Sequence, residues 1–346
     1  PRRRLLVEKS LEFRSWALCE LICKESTDAA PDSADRALEL ANLALRVAEL
    51  LPGDEAFRSR LQGYAWAHVG NARRVRSDLP GADEAFGRVR QLWKAGEPGD
   101  PGCLLDEARM LGLEASLRRA QRRFPKALEL LDKAMQIDRG DVTKHLLLSK
   151  AKILEELGEF KAAVAVLQRA TPLIEQAGEP RLLLVLRFNL AVNLCFLERH
   201  GEAELLFPGL RELVTQLGND LDMVRFRWLE ARTGAGLGRR DEALVGLSCV
   251  RDEFASREIA YDAALVSLEL ASLYLEEEQT AEVRTLARQM LWIFHAQGVH
   301  REARAALRIF YEAAERETVT LDLTRRLVVY LHRAQNDPSL RFEDVA

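Results

Sequence analysis

A small residue returns at a nearly constant interval along this chain, and that interval constrains the fold more than any other feature of the sequence. The recurring residues, usually followed four positions later by a larger one, are Ala82, Ala127, Ala163, Ala203, Ala243 and Val283. Twelve positions before each lies another small residue: Gly70, Ala115, Ala151, Ala191, Ala231 and Ala271. Successive members are 45, 36, 40, 40 and 40 residues apart. Self-similarity at such a period indicates a repeat architecture.

Each repeat has the properties of a helical hairpin. Two small residues about twelve positions apart, one in each of two antiparallel helices, allow the helices to approach closely. Between them lie turn signals such as SDLPGADEAF and GLGRRDEAL, in which Gly, Pro or Asp ends one helix and an acidic residue favours the start of the next. We therefore predict hairpins that bury their apolar faces against their neighbours.

This pattern resembles the tetratricopeptide repeat (TPR) family over roughly residues 35 to 290. The residues that carry the resemblance are Trp66, Val69, Gly70, Ala82 and Phe86; Leu157, Gly158, Phe160, Ala163 and Ala170; Leu190, Ala191, Ala203 and Phe207; and Leu270, Ala271 and Tyr274. The resemblance implies an all-α, right-handed superhelical solenoid of seven to eight units, irregular ends included. The spacing near 40 exceeds the standard of about 34 residues and is similar to the long repeats of bacterial signalling TPR proteins.

The predicted organisation is an N-terminal helical segment (1–34), a TPR-like solenoid (35–317), and a C-terminal capping helix with a tail (318–346). Residues 5–27 carry an apolar stripe that predicts one helix, and residues 318–334 predict another. Around Leu323, Leu327 and Tyr330 the second helix has two interpretations, a cap on the last repeat or a dimer face. No segment alternates as a β-strand does. The start at Pro1 rather than Met leads us to expect a missing front segment.

Composition favours a soluble folded protein without affinity for polyanions. The net charge is −4, and no apolar run reaches the roughly 18 residues that span a bilayer, so we predict a cytoplasmic protein without membrane or direct nucleic-acid contacts. The basic runs ARRVR (72–76) and LRRAQRR (117–123) are interpreted as solvated faces and groove rims rather than phosphate contacts. Cys19 and Cys23 are interpreted as a buried pair rather than half a metal site.

The sequence carries no catalytic signature. HExxH, GxSxG, a phosphate loop with Lys and Ser/Thr, and a kinase motif set are all missing. TGAGLGRR (233–240) resembles a phosphate loop only if it follows a strand, whereas here it closes the first helix of a repeat. The six histidines are scattered. We predict a non-enzymatic protein with no catalytic residues, no cofactor and no metal.

The resemblance places function in a concave face lined by the first helix of each hairpin. Positions beside the small first-helix residues are polar, aromatic and mostly basic: Tyr64, His68, Asn71, Arg74, Arg109, Ser116, Arg119, His145, Ser149, Lys152, Phe188, Asn189, Arg225, Trp228, Arg232 and Glu269. Such a groove suits an extended peptide, with Asn reading backbone amides and Arg holding carboxylates. The alternative is that these side chains are solvated or pack between hairpins.

Two functional hypotheses follow. The leading one is a scaffold that binds a peptide or protein partner bearing acidic or C-terminal carboxylate groups, with a homodimer also open. The alternative is the peptide-sensing domain of a bacterial helix-turn-helix transcription regulator whose DNA-binding part is absent from this chain. Asn71 is similar to the asparagine of carboxylate-clamp TPR domains, but the lysines of that clamp are not at the equivalent positions.

Overall fold

The computed structural model describes residues 2–100, 102–140, 142–296, 299–335, 337 and 340–345, except for the side chains of residues 2, 344 and 345. Within these residues the regular structure is entirely helical, with α-helices and short 3₁₀ turns and no β-strand. The all-α fold class predicted from the repeat is confirmed. Part of the predicted tail, residues 336, 338, 339 and 346, lies outside the described residues.

The chain divides into two compact units, Pro1–Ile153 (unit 1) and Leu154–Ala346 (unit 2). The helices of unit 1 are α1 Arg2–Lys9, α2 Trp16–Ala29, α3 Ala34–Glu49, α4 Glu55–Val75, α5 Leu79–Ala95, α6 Glu107–Ala120, α7 Phe124–Ile137 and α8 Thr143–Glu156, whose last residues belong to unit 2. Those of unit 2 are α9 Phe160–Ala177, α10 Pro180–Phe196, α11 His200–Glu204, α12 Phe207–Leu217, α13 Asp220–Gly236, α14 Arg240–Ser256, α15 Ala260–Glu276, α16 Thr280–Gln289, α17 Arg301–Glu315 and α18 Leu321–Ala334.

The small residues of the repeat lie on successive helices and are all buried. The first-helix members are on α4, α6, α8, α10, α13 and α15, and the second-helix members are on α5, α7, α9, α11, α14 and α16. At Gly70 the reason for a small residue is direct, because a Cβ there would lie 2.8 Å from Cε2 of Phe86. The register assigned from the sequence is therefore that of the helical hairpins.

A second element of the repeat appears where the first helices end. The residue that leaves each first helix has left-handed backbone geometry, with φ between 54° and 82° at Ser77, Arg122, Gly158, Glu198, Gly238, Glu278 and Glu317. These positions recur at nearly the same interval as the small residues, and they extend the repeat by one hairpin, to α17 and α18. The segment TGAGLGRR is placed as predicted, since Gly238 closes α13 before α14 begins.

Two helices are broken where the sequence predicted continuous ones. Residues 5–27 do not form one helix, because α1 ends at Lys9 and the Ser15 side chain accepts a 3.2 Å hydrogen bond from the Leu18 amide at the start of α2. As a result Leu5 and Leu21, two apolar residues within the stripe of residues 5–27, are exposed. In the fourth hairpin, which carries Ala191 and Ala203, the second helix is split into α11 and α12, and Pro208 lies in the first turn of α12.

The last helix, α18, packs within unit 2 against α15. Thr320 caps its start by accepting a 3.2 Å hydrogen bond from the amide of Leu323. Leu327 and Tyr330 are completely buried in the core that α15, α16 and α17 also line. The boundaries of the predicted solenoid, at residues 34/35 and 317/318, stay a prediction.

Replacing Ala191 by leucine tests the packing of the fourth hairpin. Ala191 on α10 is completely buried, and the added atoms must displace neighbours in a close-packed interface. We expect a loss of about 1–3 kcal/mol in the free energy of unfolding, measured by chemical denaturation. The matched control is Ala165→Leu on the exposed side of α9. Equal stabilities of the two variants would contradict the assigned register.

Candidate functional site

In unit 2, four of the predicted residues come together on the neighbouring first helices α13 and α15, namely Arg225, Trp228, Arg232 and Glu269. Arg225 and Arg232 lie two turns apart on α13, and Asp262 and Glu269 lie two turns apart on α15, so one face of each helix carries matching charges. Nη2 of Arg225 lies 3.5 Å from Oδ2 of Asp262. Arg232 forms a close ion pair with Oε1 of Glu269, whose Oε2 accepts a 2.9 Å hydrogen bond from the Trp228 indole.

Aromatic rings enclose the Arg232 guanidinium. Its carbon lies 4.9 Å from the ring centroid of Trp228 and 5.4 Å from that of Phe196 on α10. Phe196 in turn stacks on Phe160, with ring centroids 4.5 Å apart. Burial disfavours the charge on Arg232, but the adjacent Glu269 carboxylate outweighs it, and the pKa of Arg232 lies above its ordinary value. This cation is held and neutralised by the chain itself.

The end of α18 reaches the same surface. The His332 ring lies 4.9 Å from that of Phe196, and Nε2 of Gln335 donates a 3.2 Å hydrogen bond to Oδ1 of Asp262. Burial raises the pKa of Asp262, against the opposing effects of Arg225 and Gln335. Part of the first-helix face of unit 2 is therefore covered by the protein's own C-terminal helix.

Both candidates on α10, Phe188 and Asn189, are half-buried. Phe188 lies against the core formed by α9, α10, α12 and α13. The backbone carbonyl of Asn189 accepts a 2.8 Å hydrogen bond from Asn193, which also donates a 2.9 Å bond to Glu155. Among the described residues, the buried Asn193 amide oxygen has no hydrogen-bond partner.

In unit 1 the structure places Tyr64 and His68 inside the core. Each is about 1% exposed, and their ring centroids are 5.1 Å apart. Nδ1 of His68 lies 3.1 Å from the Thr27 hydroxyl of α2, so these side chains fill the space between α2 and α4. Burial, followed by the charge of Arg109, lowers the pKa of His68 to about 3. Neither side chain is presented to a ligand in this conformation.

One turn further along, the surface of unit 1 becomes cationic. Nη2 and Nε of Arg74 donate hydrogen bonds of 2.8 and 3.2 Å to the Asn71 amide oxygen. Burial, and then the charge of Arg119 on α6, lower the pKa of Arg74 to about 10. The Ser116 hydroxyl, also on α6, donates to the carbonyl of Gly112 within its helix.

The remaining candidates of unit 1 divide between two places. Arg109, at the start of α6, bonds through its backbone amide and side chain to Asp106. His145, Ser149 and Lys152 follow one face of α8, where His145 is exposed and the other two are half-buried. Asn71, Arg74 and Arg119 thus form one cluster, whereas the α8 residues form a separate row.

Sequence reasoning missed Phe160, Phe196, Asp262, His332 and Gln335. A signal for Asp262 is present in the sequence, because Arg225 and Asp262 are 37 residues apart, as are Arg232 and Glu269. A cation and an anion repeated at the same offset near the repeat length indicate a ladder between neighbouring first helices. No comparable signal identifies the residues of α18, whose contacts depend on the way it folds back.

The structure also gives the environment of the two cysteines in α2. Cys19 and Cys23 are completely buried in α2, and the Cys19 thiol lies 3.3 Å from the carbonyl of Ala44. In the described parts of the chain, no three His, Cys, Asp or Glu side chains are grouped to hold a metal ion. No helix among the residues searched combines the length and apolarity that crossing a bilayer requires.

Comparison with known proteins agrees with this architecture. No family model matches the chain. A Rap protein complexed with Competence and Sporulation Factor has a TM-score of 0.63 at 13% identity, covering 93% of this chain and 88% of that one. The apo form of RapI has a TM-score of 0.57 at 10% identity, covering 96% and 97%. The fold is a TPR-like helical solenoid.

A sequence relative agrees with a TPR-type assignment. A segment of 105 residues is 34% identical to mitochondrial tetratricopeptide repeat protein 19 from Rattus norvegicus and from Mus musculus. The match involves 30% of this chain and 28% of each relative, so the chain spans less than a third of the proteins it matches.

Proposed function

We propose that this protein is a non-enzymatic TPR scaffold of the long-repeat bacterial type, which binds a peptide or protein segment on its first helices. The proposal assigns the partner's anionic group, an acidic side chain or a C-terminal carboxylate, to the Asn71–Arg74–Arg119 cluster of unit 1. The observation that carries it is the electrostatic environment of the Arg74 guanidinium. Burial, and then the positive charge of Arg119, lower its pKa, and its described hydrogen bonds go to the neutral amide of Asn71.

A partly buried cation beside a like charge is costly, and an arriving carboxylate relieves that cost. The planar guanidinium presents several N–H donors, so Arg74 keeps donors for a carboxylate while it stays oriented by Asn71. Hydrogen bonds between ionised groups are about twice as strong as neutral ones. The cluster is thus preorganised for an anion.

The first-helix face of unit 2 has a different electrostatic state. Arg225 and Arg232 are already paired with Asp262 and Glu269. A peptide carboxylate would have to displace a carboxylate that is already in place, which gains little. We infer that this face of unit 2 does not hold the anionic group of the partner.

The same peptide site would serve the alternative function, a peptide-sensing domain of a helix-turn-helix transcription regulator. One of the proteins of similar fold is complexed with Competence and Sporulation Factor, which is consistent with a ligand-binding role for either function. A full reading frame that encodes a DNA-binding module ahead of Pro1 would favour the regulator. The predicted cytoplasmic location and a homodimer belong to the same proposal.

Binding of a displayed library of short random peptides with free C-termini tests the site. Replacing Arg74 by glutamine removes the cation and retains an amide, and we expect the affinity of the selected peptides to fall by about tenfold or more. That is the loss expected from one hydrogen bond between charged groups, about 1.5–3 kcal/mol. Fluorescence anisotropy with the selected peptides measures the change.

Arg76→Gln is the matched control, because Arg76 follows the same helix, is exposed, and pairs with Asp35 at the surface. It removes the same charge and should leave the affinity within about twofold, since exposed pairs contribute little. Equal affinity of the Arg74→Gln variant and the unaltered chain, or selection of no peptide, would refute the assignment.

A further inference from the structure

A second groove opens on the outer side of unit 1, away from the residues proposed to hold the peptide. It lies between the second helices α5 and α7 and runs over α6, with a cavity of about 600 Å³. Its floor is apolar and includes Val89, Met110, Leu111 and Leu130. The LRRAQRR run identified in the sequence contributes Arg118 and Arg123 to its walls.

The walls carry a surplus of positive charge. Among the described residues that line the groove, seven are Lys or Arg and three are Glu. A surplus remains after pairing, although Asp83 pairs with Arg118 and Glu129 with Lys126, because Glu114 serves both Arg90 (2.8 Å) and Arg118 (2.7 Å). Glu107 is likewise shared by two of the cations. The charge of the groove is therefore only partly neutralised by its own carboxylates.

Two of the cations are free to meet a ligand. Lys94 and Arg123 are exposed, and within the described part of the chain neither side chain donates a hydrogen bond or forms an ion pair. They lie on opposite sides of the groove, Lys94 in the last turn of α5 and Arg123 immediately before α7. A ligand lying along the floor would meet both.

The repeat architecture alone does not produce this charge. Unit 2 has a groove in the corresponding position, about 790 Å³ in volume and lined by α12, α13 and α14. Its charged lining consists of three Arg and four Glu. The same position in two hairpins thus carries a positive surplus in one case and a near balance in the other.

We propose that the outer groove of unit 1 binds an acidic amphipathic helix of a partner protein. Apolar side chains of the helix would lie on the floor, and its Asp and Glu would meet the cationic walls, as in other helix-in-groove complexes. Nucleic acid fits less well because the aromatic ring of the groove is already covered. The Arg60 guanidinium lies 3.5 Å from the Trp93 ring centroid, where a base would have to stack.

The first test is selection of a displayed library of helical peptides of roughly 12 residues, about 18 Å long, against the full chain. We expect the bound set to be enriched in Asp and Glu on one face and in Leu, Ile or Met on the other. The best acidic peptide is then titrated by fluorescence anisotropy, together with its Glu-to-Gln counterpart and an oligo-dT strand of similar length.

The variant Lys94→Glu/Arg123→Glu should bind the acidic peptide at least about tenfold more weakly, since it places two carboxylates against the acidic side chains of the peptide, and like charges facing each other are costly. The control Lys9→Glu/Lys24→Glu changes the net charge by the same amount at exposed positions of α1 and α2 and should bind normally. Selection of non-acidic peptides, equal binding by the two double variants, or preference for oligo-dT would overturn the proposal. Loss of binding in the Arg74→Gln variant concerns the other site, so the two proposals fail separately.

Discussion

Replacing Leu167 by alanine should lower the free energy of unfolding of unit 2 by about 2–5 kcal/mol, the range for a buried Leu→Ala change. Leu167 follows the small residue Ala163 by four positions on α9 and is completely buried. Truncation removes contacts on every side and leaves a cavity that neighbouring helices fill incompletely. The position is thus the larger half of the repeat's packing pair.

Leu205→Ala is the matched control, because Leu205 is 81% exposed between α11 and α12 in the same unit. Its effect should stay within about 0.5 kcal/mol. Native-state hydrogen exchange is the suitable measurement, since repeat proteins unfold locally and a single global transition is not assured. Similar losses for the two variants would mean that the four-residue pattern does not identify the packed positions.

Reversing the charge of Arg232 should also destabilise unit 2, by about 3–5 kcal/mol. The Arg232 and Glu269 side chains are 20% and 15% exposed, so Arg232→Glu places two carboxylates together where water screens them poorly. The Trp228 indole would remain bound to Glu269, but the guanidinium between the rings would be lost. We expect a lower midpoint in urea and faster amide exchange in α13 and α15.

The control for this variant is Arg240→Glu. Arg240 pairs with Glu276 across neighbouring helices in a similar way, but its side chain is 39% exposed, and the expected loss is at most about 1 kcal/mol. Exchanging the partners, Arg232→Glu with Glu269→Arg, should recover part of the lost stability. If the single reversal leaves the midpoint unchanged, the pair is not the structural contact described here.

The expected loss of stability makes Arg232 a poor position at which to test peptide binding. A variant at Arg232 would lose binding through unfolding as readily as through loss of a contact. Arg74 is the better position, because its substitution removes no ion pair among the described residues and relieves a repulsion with Arg119.

The predictable part of the fold follows from close packing. Positions such as Gly70 and Ala191 must be small wherever two helices approach, so their spacing could be recognised without coordinates. The turn residues could not be predicted as reliably. Arg122, Glu198 and Glu278 adopt left-handed geometry that glycine takes more readily, which means that helix packing imposes the turn and the local sequence tolerates it.

The sequence indicates which positions lie on the first helices, but it does not indicate which of those side chains are exposed or already paired. Projection from the small residues selected Trp228, Arg232 and Glu269, which lie in contact on the neighbouring helices α13 and α15. It also selected Tyr64 and His68, because nothing in the irregular N-terminal segment indicated that α2 would cover that part of α4. Exposure at a given helical position depends on the neighbouring helix, and that neighbour is set by the tertiary fold.

The sequence by itself determined the helical-hairpin repeat. Two helices that cross closely require small residues at the crossing, and the size of each residue is known from its type. The tertiary structure alone decided which charges are satisfied. Arg232 and Arg74 are the same residue type on first helices, yet one faces Glu269 and the other faces Asn71 and Arg119. That difference comes from the lateral alignment of neighbouring helices, which places a carboxylate within reach of one guanidinium and a second guanidinium near the other.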